Sequence, residues 1–435
     1  MVQETLEDWR TWAQRLDEAH GWTVALVEDL SPEQQMGEPL PDLNPLVWEV
    51  GHVAWFYEFW VLRYQEEGRY RPSMLDQADD LYNSSTVPRA ERWTRPILGL
   101  ADATGYLQRT TEAVLSQLAD GSATEKARYL LEYALYHEYM HIESLWYTRQ
   151  RLGYPLPPGF SALPPPPSRP VRGPRDRYVD GGEFWLGAFP EAGFAFDNEK
   201  WAHPVIVEPF QIARYPVTNQ EFLAFVEAGG YQDRRLWLPE GWRWRHQTQA
   251  EHPLYWRFDP EAGWQMRHFD RWLPLDPDAP VIHVNWYEAE AFCRWARRRL
   301  PTEAEWEMAA SWDPESGQKR RHPWGEEAPE PSRANLGAWY LGPISVYALP
   351  RGDSALGLAQ MVGQGWEWCA DAFAPYPGFT PDPYREYSQP WFYTHRVLRG
   401  GSWVTPPGLL RNTWRNYYLP WRREVFATFR TCALD

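Results

Sequence analysis

Cysteine is scarce in this chain. Three occur in 435 residues, Cys293, Cys369 and Cys432, and no two of them form a C-x-x-C pair. That spacing excludes a disulfide framework and a zinc site built on cysteine, and each thiol reads as a small buried hydrophobe. An excess of positive charge is also missing. With 43 basic against 59 acidic residues the net charge is −16, which argues against nucleic acid, because a phosphate backbone rewards a basic face. A local basic pocket for an anionic substrate is still compatible with that balance. No apolar run approaches the roughly 18 residues needed to span a bilayer. The opening "MVQETLEDWRTWAQRLDEAH" is acidic and amphipathic, whereas a secretory signal is basic and then apolar. No internal repeat is present. The expectation is a cytoplasmic enzyme with no nucleic-acid or membrane partner.

Aromatic residues are abundant: 28 Trp, 24 Tyr and 18 Phe. Such numbers imply a core rich in large rings, a cavity walled by them, or both. The length predicts two or three domains. Residues 1–155 carry apolar positions at three- and four-residue spacing in "TLEDWRTWAQRLDEAHGWTVALVEDL", "NPLVWEVGHVAWFYEFWVLRYQ", "ATGYLQRTTEAVLSQL" and "SATEKARYLLEYALYHEYMHIESLWYTRQRLG". Four helices of this length predict an antiparallel bundle. The last begins at a Ser/Thr capping signal and ends at Gly153. Residues 156–177 are dense in proline and read as an extended linker. Residues 178–435 change period. Short β-type runs such as "YVDGGEFWLGAF", "HPVIVEPFQIARYPVT" and "RVLRGGSWV" alternate with two helices, "TNQEFLAFVEAGGY" and "NWYEAEAFCRWARRR", and with long Trp-, Pro- and Gly-rich loops. This is an α+β domain.

The chemistry concentrates in "HEYMHIES", residues 137–144. In a helix, positions four apart share one face with Cβ atoms about 6 Å apart, so His137 and His141 make a sound ligand pair for one ion. Their apolar neighbours point both toward the bundle interior, where an imidazole pair needs a partner. Two further histidines of the first half offer a third ligand. His52 lies in "WEVGHVAWFYEFW", where Gly51 permits close helix approach, and His20 lies beside Gly21, read as a helix end with a surface or capping role. His52 is the choice. Three neutral imidazoles leave coordination positions open, as catalysis requires, and a histidine-only site accepts zinc, iron, nickel or copper.

"NPLVWEVGHVAWF", then "HEYMHIE", then a proline-rich linker resemble the non-haem iron sulfoxide synthases of ergothioneine biosynthesis and their relatives. The first half is similar to the DinB-like helical bundle. The second half, through "YPVTNQEF", "PVIHVNWYEAEAFCRWARRRLPTEAEWE", "MVGQGWEWCADAF", "LRGGSW" and "VFATFRTC", is similar to the formylglycine-generating-enzyme domain, a C-type-lectin-like fold. The resemblance implies Fe(II) held by His52, His137 and His141. It also implies oxidative attachment of sulfur or selenium, with O2, to C2 of the imidazole of hercynine, the betaine of trimethylated histidine. A trimethylammonium group has no N–H to donate and calls for aromatic faces, which the Trp- and Tyr-rich loops can supply. Within "RNYYLPWRR" the resemblance places Asn416 and Tyr417 at the betaine and Arg422 at the chalcogen donor. Formylglycine generation itself relies on reactive thiols, and none of the three cysteines here reads as one.

The chain departs from the ergothioneine-type pattern at three places. Met140 stands where that pattern often has a glutamine contacting substrate. Tyr418 replaces an acid that holds the ammonium of an amino-acid donor. "LYNSSTV" has Ser85 and Thr86 in place of a tyrosine pair. A proton-donating phenol is then sought at Tyr376 in "DAFAPYPGF". "LYNSSTVPRAERW" and "YTRQRLGYP" look more like the selenoneine-synthase branch, whose donor is a selenosugar. Arg89 and Arg92 would face that hydroxyl-rich donor. An ergothioneine-type reaction with cysteine or γ-glutamylcysteine is the alternative. Two other classes are a zinc- or nickel-dependent thiol transferase, which has no need of the second domain, and a lectin-like binding module, which has no need of three interior histidines.

Overall fold

Apolar residues at helical spacing in the first half become four long helices that bury one another. The computed structural model describes residues 9–65, 69–168 and 175–434. Residues 5–8 of the first expected helix lie outside that range. The chain separates into two units, Met1–Phe160 and Ser161–Asp435.

In the first unit the helices are α1 (Trp9–Ala25), α2 (Pro32–Met36), α3 (Leu46–Tyr57), α4 (Ala78–Tyr82), α5 (Leu100–Ala119) and α6 (Glu125–Leu152). α3 packs on α5 and α6, and α1 packs on the same two, which closes a four-helix bundle. α3 is the innermost of the four, since all twelve of its residues are buried. It runs on into one wide π-helical turn, Glu58–Arg63. α6 starts where the Thr124 hydroxyl accepts the Ala127 N–H and stops at Gly153, whose left-handed φ of 69° suits glycine. With 28 residues it spans about 42 Å, and its histidines sit at mid-length.

The short helix α4 was not legible in the periodicity, yet it backs the innermost helix closely. A Cβ built on Gly51 would fall 2.3 Å from the Tyr82 ring, so only glycine lets α3 lie against that ring. Tyr82 is fully buried, and its hydroxyl accepts the Leu98 N–H at 2.9 Å.

Residues 175–434 form the second unit's α+β fold, so the molecule is multidomain with a helical bundle followed by a mixed unit. One sheet runs in the order Asp176–Val179, Phe210–Ala213, Cys432–Ala433, Arg298–Arg299, which ties the first and last strands of the unit together. The opening strand starts at Asp176, inside the stretch that composition alone assigns to a linker, of which residues 169–174 lie outside the described range. A second sheet orders Asn416–Tyr418, Arg396–Arg399, Trp366–Ala372 and Ala427–Thr428, the last pair parallel. Four helices accompany the sheets: α7 (Asn219–Glu227), α8 (Pro239–Thr248), α9 (Trp286–Trp295) and α10 (Glu303–Ser311). The expectation of two helices missed α8, which opens at a proline, and α10, which a Thr302–Glu305 capping box starts.

Much of the expected ring content is core. Trp306, Trp366, Trp368 and Trp403 are fully buried. Buried ion pairs run through the same unit. Glu303 accepts from Arg399 at 2.7 Å and from Arg415 at 2.7 and 2.9 Å, and Glu367 pairs with Arg430 at 2.6 Å. Removing one partner of such a pair typically costs about 3–5 kcal/mol, because the other charge is left buried and alone.

Gly51→Ala should displace the Tyr82 ring and destabilise the bundle by about 1–3 kcal/mol. Urea unfolding followed by circular dichroism reads this directly, and a stability equal to wild type would mean that α3 and α4 are not in contact as described.

Candidate metal centre

α3 and α6 lie side by side in the bundle, and this brings His52 of one against His137 and His141 of the other. One ring nitrogen from each of the three lies within 4.8 Å of the others. Ring centroids are 4.5 Å apart for His137–His141, 4.7 Å for His52–His141 and 5.1 Å for His52–His137. His52 and His137 are buried, and the His141 side chain keeps 16% exposure.

Each imidazole is held by a different device. His52 donates from Nδ1 to the Tyr82 carbonyl at 2.7 Å and is stacked on Trp48, with centroids 4.7 Å apart and planes within 11°. His137 lies flat on Phe56 at 3.6 Å. His141 donates from Nδ1 to Glu49 Oε2 at 3.1 Å. A carbonyl and a carboxylate only accept, so both Nδ1 atoms donate, and Nε2 is the ring atom of each that is left to face a metal. Burial, followed by the charge of His141, holds the pKa of His52 well below the ordinary imidazole value, and burial does the same for His137. These two rings are therefore neutral, the form that ligates. Three convergent imidazoles, two of them held neutral, with aromatic walls fit a divalent transition-metal ion that keeps open coordination positions.

Glu49 did not stand out in the sequence. Its signal was its place three residues before His52 on a helix that is otherwise apolar. Trp48 and Phe56, four residues to either side of His52, are among the aromatics that flank it in the sequence, and they stack on His52 and His137 respectively.

His20 is not at a helix end. α1 continues to Ala25 past Gly21, and His20 is engaged at Nδ1 by Glu138 (2.9 Å) and at Nε2 by Thr111 (2.8 Å). Arg92, expected to face the donor, is buried: it bonds Asn44 Oδ1 at 2.6 Å, reaches the carbonyls of Ser84 and Val87, and covers Trp48 at 4.1 Å. Arg89 is exposed and donates to the Pro41 carbonyl at 3.2 Å. Met140 is half-buried on α6, directly before His141.

In the second unit Asn416, Tyr417 and Tyr418 share one edge strand. Tyr417 stacks on Phe373 at 4.1 Å, and Asn416 Oδ1 accepts the Tyr417 N–H at 2.8 Å. Arg422 pairs with Glu424, and its guanidinium lies 5.4 Å from the Tyr418 ring. Tyr376 is packed under Arg415 at 4.0 Å, with its hydroxyl 3.4 Å from Glu303 Oε1. Burial pushes its pKa well up, so the phenol stays protonated. Cys293, Cys369 and Cys432 are all buried, and burial raises each thiol, which removes the thiolate a reactive cysteine needs.

Residues 15–145 match the DinB superfamily, and residues 162–434 match the sulfatase-modifying factor enzyme 1-like domain. The chain is similar to a hercynine oxygenase of Mycolicibacterium thermoresistibile, 40% identical over 427 residues that cover 96% of this chain and 93% of that one. It is also 40% identical to a hercynine oxygenase of Mycobacterium tuberculosis over 397 residues, covering 90% and 91% of the two chains. A formylglycine-generating enzyme of Thermomonospora curvata is 34% identical over 254 residues, 52% of this chain and 81% of that one. Among the described residues no helix is long and apolar enough to cross a membrane.

The two depressed histidines make a pH prediction. Below the ordinary imidazole value of about 6.5 the unfolded chain binds protons that native His52 and His137 refuse. Stability of the metal-free protein therefore falls with acid, by up to about 1.4 kcal/mol per pH unit for each ring. Urea unfolding between about pH 5 and pH 7 should show His137→Leu losing close to one proton of that slope. An unchanged slope would mean that native His137 takes up a proton.

Proposed function

Because the chain belongs to the hercynine oxygenase family, with a DinB-superfamily bundle and a sulfatase-modifying-factor-like domain in one polypeptide, we propose that it is a non-haem iron(II)- and O2-dependent synthase acting on hercynine. The observation that carries this reading is the buried cluster of His52, His137 and His141, whose ligand atoms converge within 4.8 Å. Those three residues would hold the iron. When bound, iron(II) supplies electrons to O2 and open positions for the reactants.

The overall change balances with no further reductant. A C2–H bond of the imidazole and a chalcogen–H bond of the donor break, and a C–S or C–Se bond forms. O2 gives one oxygen to the chalcogen and one to water. The chain's own share is to hold and to exclude. Trp48, Trp55 and Phe56 wall the imidazoles and keep bulk water from the reacting centre. We assign Asn416 and Tyr417 to the betaine, and Met140 and Arg89 to the substrates as further contacts. Tyr376, whose phenol stays protonated, is the proton donor of the proposal.

For the donor we propose a selenosugar, the reading carried by Tyr418. No carboxylate stands at that position to hold an ammonium group, and Arg422 is already ion-paired with Glu424. An amino-acid donor would have to compete with Glu424 for that guanidinium, whereas a neutral, hydroxyl-rich donor would not. Cysteine or γ-glutamylcysteine is the second reading, in keeping with the full-length similarity to hercynine oxygenases.

The test is anaerobic purification, reconstitution with Fe(II), addition of hercynine, and exposure to air with each donor in turn. Mass spectrometry should find a selenium adduct of hercynine from the selenosugar. A sulfoxide adduct from a thiol alone would keep the family chemistry and reverse the donor assignment. No adduct from any donor, with stoichiometric zinc retained, would favour a thiol transferase and contradict the proposal.

Tyr376→Phe should lower kcat by roughly 100-fold or more if the phenol delivers a proton in the rate-limiting step, with KM for hercynine little changed. A variant turning over at the wild-type rate would leave this ring a packing role under Arg415.

A further inference from the structure

We propose that Glu49 is a positioning residue of the metal centre, setting its metal affinity by orienting His141 and by supplying the negative charge nearest the three imidazoles. The inference rests on the reading of His52, His137 and His141 as ligands.

A divalent ion among three neutral imidazoles places two positive charges in a largely buried site, a costly arrangement unless an anion stands close by. Glu49 provides one. Its side chain is 1% exposed, and its bonds to His141 and Ser144 tie together the two helices that carry the ligands. Oε2 accepts from His141 Nδ1 at 3.1 Å, and Oε1 accepts from the Ser144 hydroxyl at 2.8 Å and from Asn44 Nδ2 at 3.0 Å. Glu49 lies one helical turn before His52 on α3, and Ser144 lies one turn after His141 on α6. One carboxylate thus pins the faces of both helices at the level of the metal.

The arrangement extends one layer further. Asn44 Oδ1 accepts from Arg92 Nη1 at 2.6 Å, so Arg92, Asn44, Glu49 and His141 form a continuous chain of hydrogen bonds. The same guanidinium covers Trp48 at 4.1 Å, and Trp48 is stacked on His52. Arg92 therefore stands behind two of the three imidazoles, and its own position is fixed by the carbonyls of Ser84 and Val87. A carboxylate on the far nitrogen of a metal-bound histidine fixes the tautomer, fixes the ring plane and raises the basicity of the ligating nitrogen. A residue that merely cross-links two helices would do none of these.

Co(II) titration of the full-length, metal-free protein tests this without any turnover. The dissociation constant and the visible d–d absorption would be read for wild type, Glu49→Gln, Glu49→Asp and His52→Ala, with the melting temperature of each metal-free form. Glu49→Gln keeps the shape and removes the charge. It should weaken Co(II) binding roughly 10- to 100-fold and shift the absorption, while the metal-free protein melts near wild type. Glu49→Asp keeps the charge but withdraws it from His141, and it should fall between the two, which also serves if the glutamine variant does not fold. Binding within about twofold of wild type in both variants, with His52→Ala having lost it, would overturn the inference and leave the metal reading intact. Equal Co(II) binding by wild type and His52→Ala would overturn both.

Discussion

Everything distinctive about this protein's first unit depends on two helices lying close enough for three imidazoles to meet. That closeness is built from small details. Gly51 gives α3 room against the Tyr82 ring, and the carbonyl of that same tyrosine takes the His52 proton. One residue thus sets both the depth of the helix and the orientation of its histidine. On the facing helix, the four-residue spacing of His137 and His141 puts two rings on one side with no further help from the fold. Burial then keeps His52 and His137 neutral, the form that ligates.

Buried carboxylates organise both units. In the first, two of them serve histidines, Glu49 holding His141 and Glu138 holding His20 while accepting from Thr23 and Tyr57, and Asp29 and Asp79 pair with Arg149 and Arg63. In the second, carboxylates serve arginines, through Glu303, Glu307 and Glu367. Those pairs stitch strands and helices whose regular structure is short. The edge strand that carries Asn416, Tyr417 and Tyr418 is preceded by Arg415, which Glu303 holds through two hydrogen bonds. The strand assigned to substrate binding is therefore anchored at the residue just before it.

Much of this was legible in the sequence, for physical reasons. Helical periodicity and capping residues announced the four long helices, and the break at the prolines announced the change of fold. The His137–His141 spacing and the glycine before His52 pointed to the three histidines that the structure brings together. The rest was hidden for equally physical reasons. The Tyr82 carbonyl is backbone and has no signature in any residue name. A buried arginine reads the same as an accessible one, so Arg92 was read as a donor contact. Gly21 looked like a helix stop, but Leu16, Ala19 and Thr23 pack inward around it and carry α1 onward. Glu49 was one acid among many until its neighbours were known.

Division of labour between the units follows from their chemistry. The bundle offers nitrogen ligands in a dry, aromatic setting suited to a redox ion, and the α+β unit offers loops and an edge strand rich in rings and amides. The central claim is that three histidines hold the iron, and X-ray absorption of the Fe(II)-loaded protein tests it most directly. The account predicts an outer-shell scattering pattern of three imidazoles and no sulfur, reduced to two imidazoles in His52→Ala. A pattern of fewer imidazoles in wild type, or one unchanged by that substitution, would contradict it.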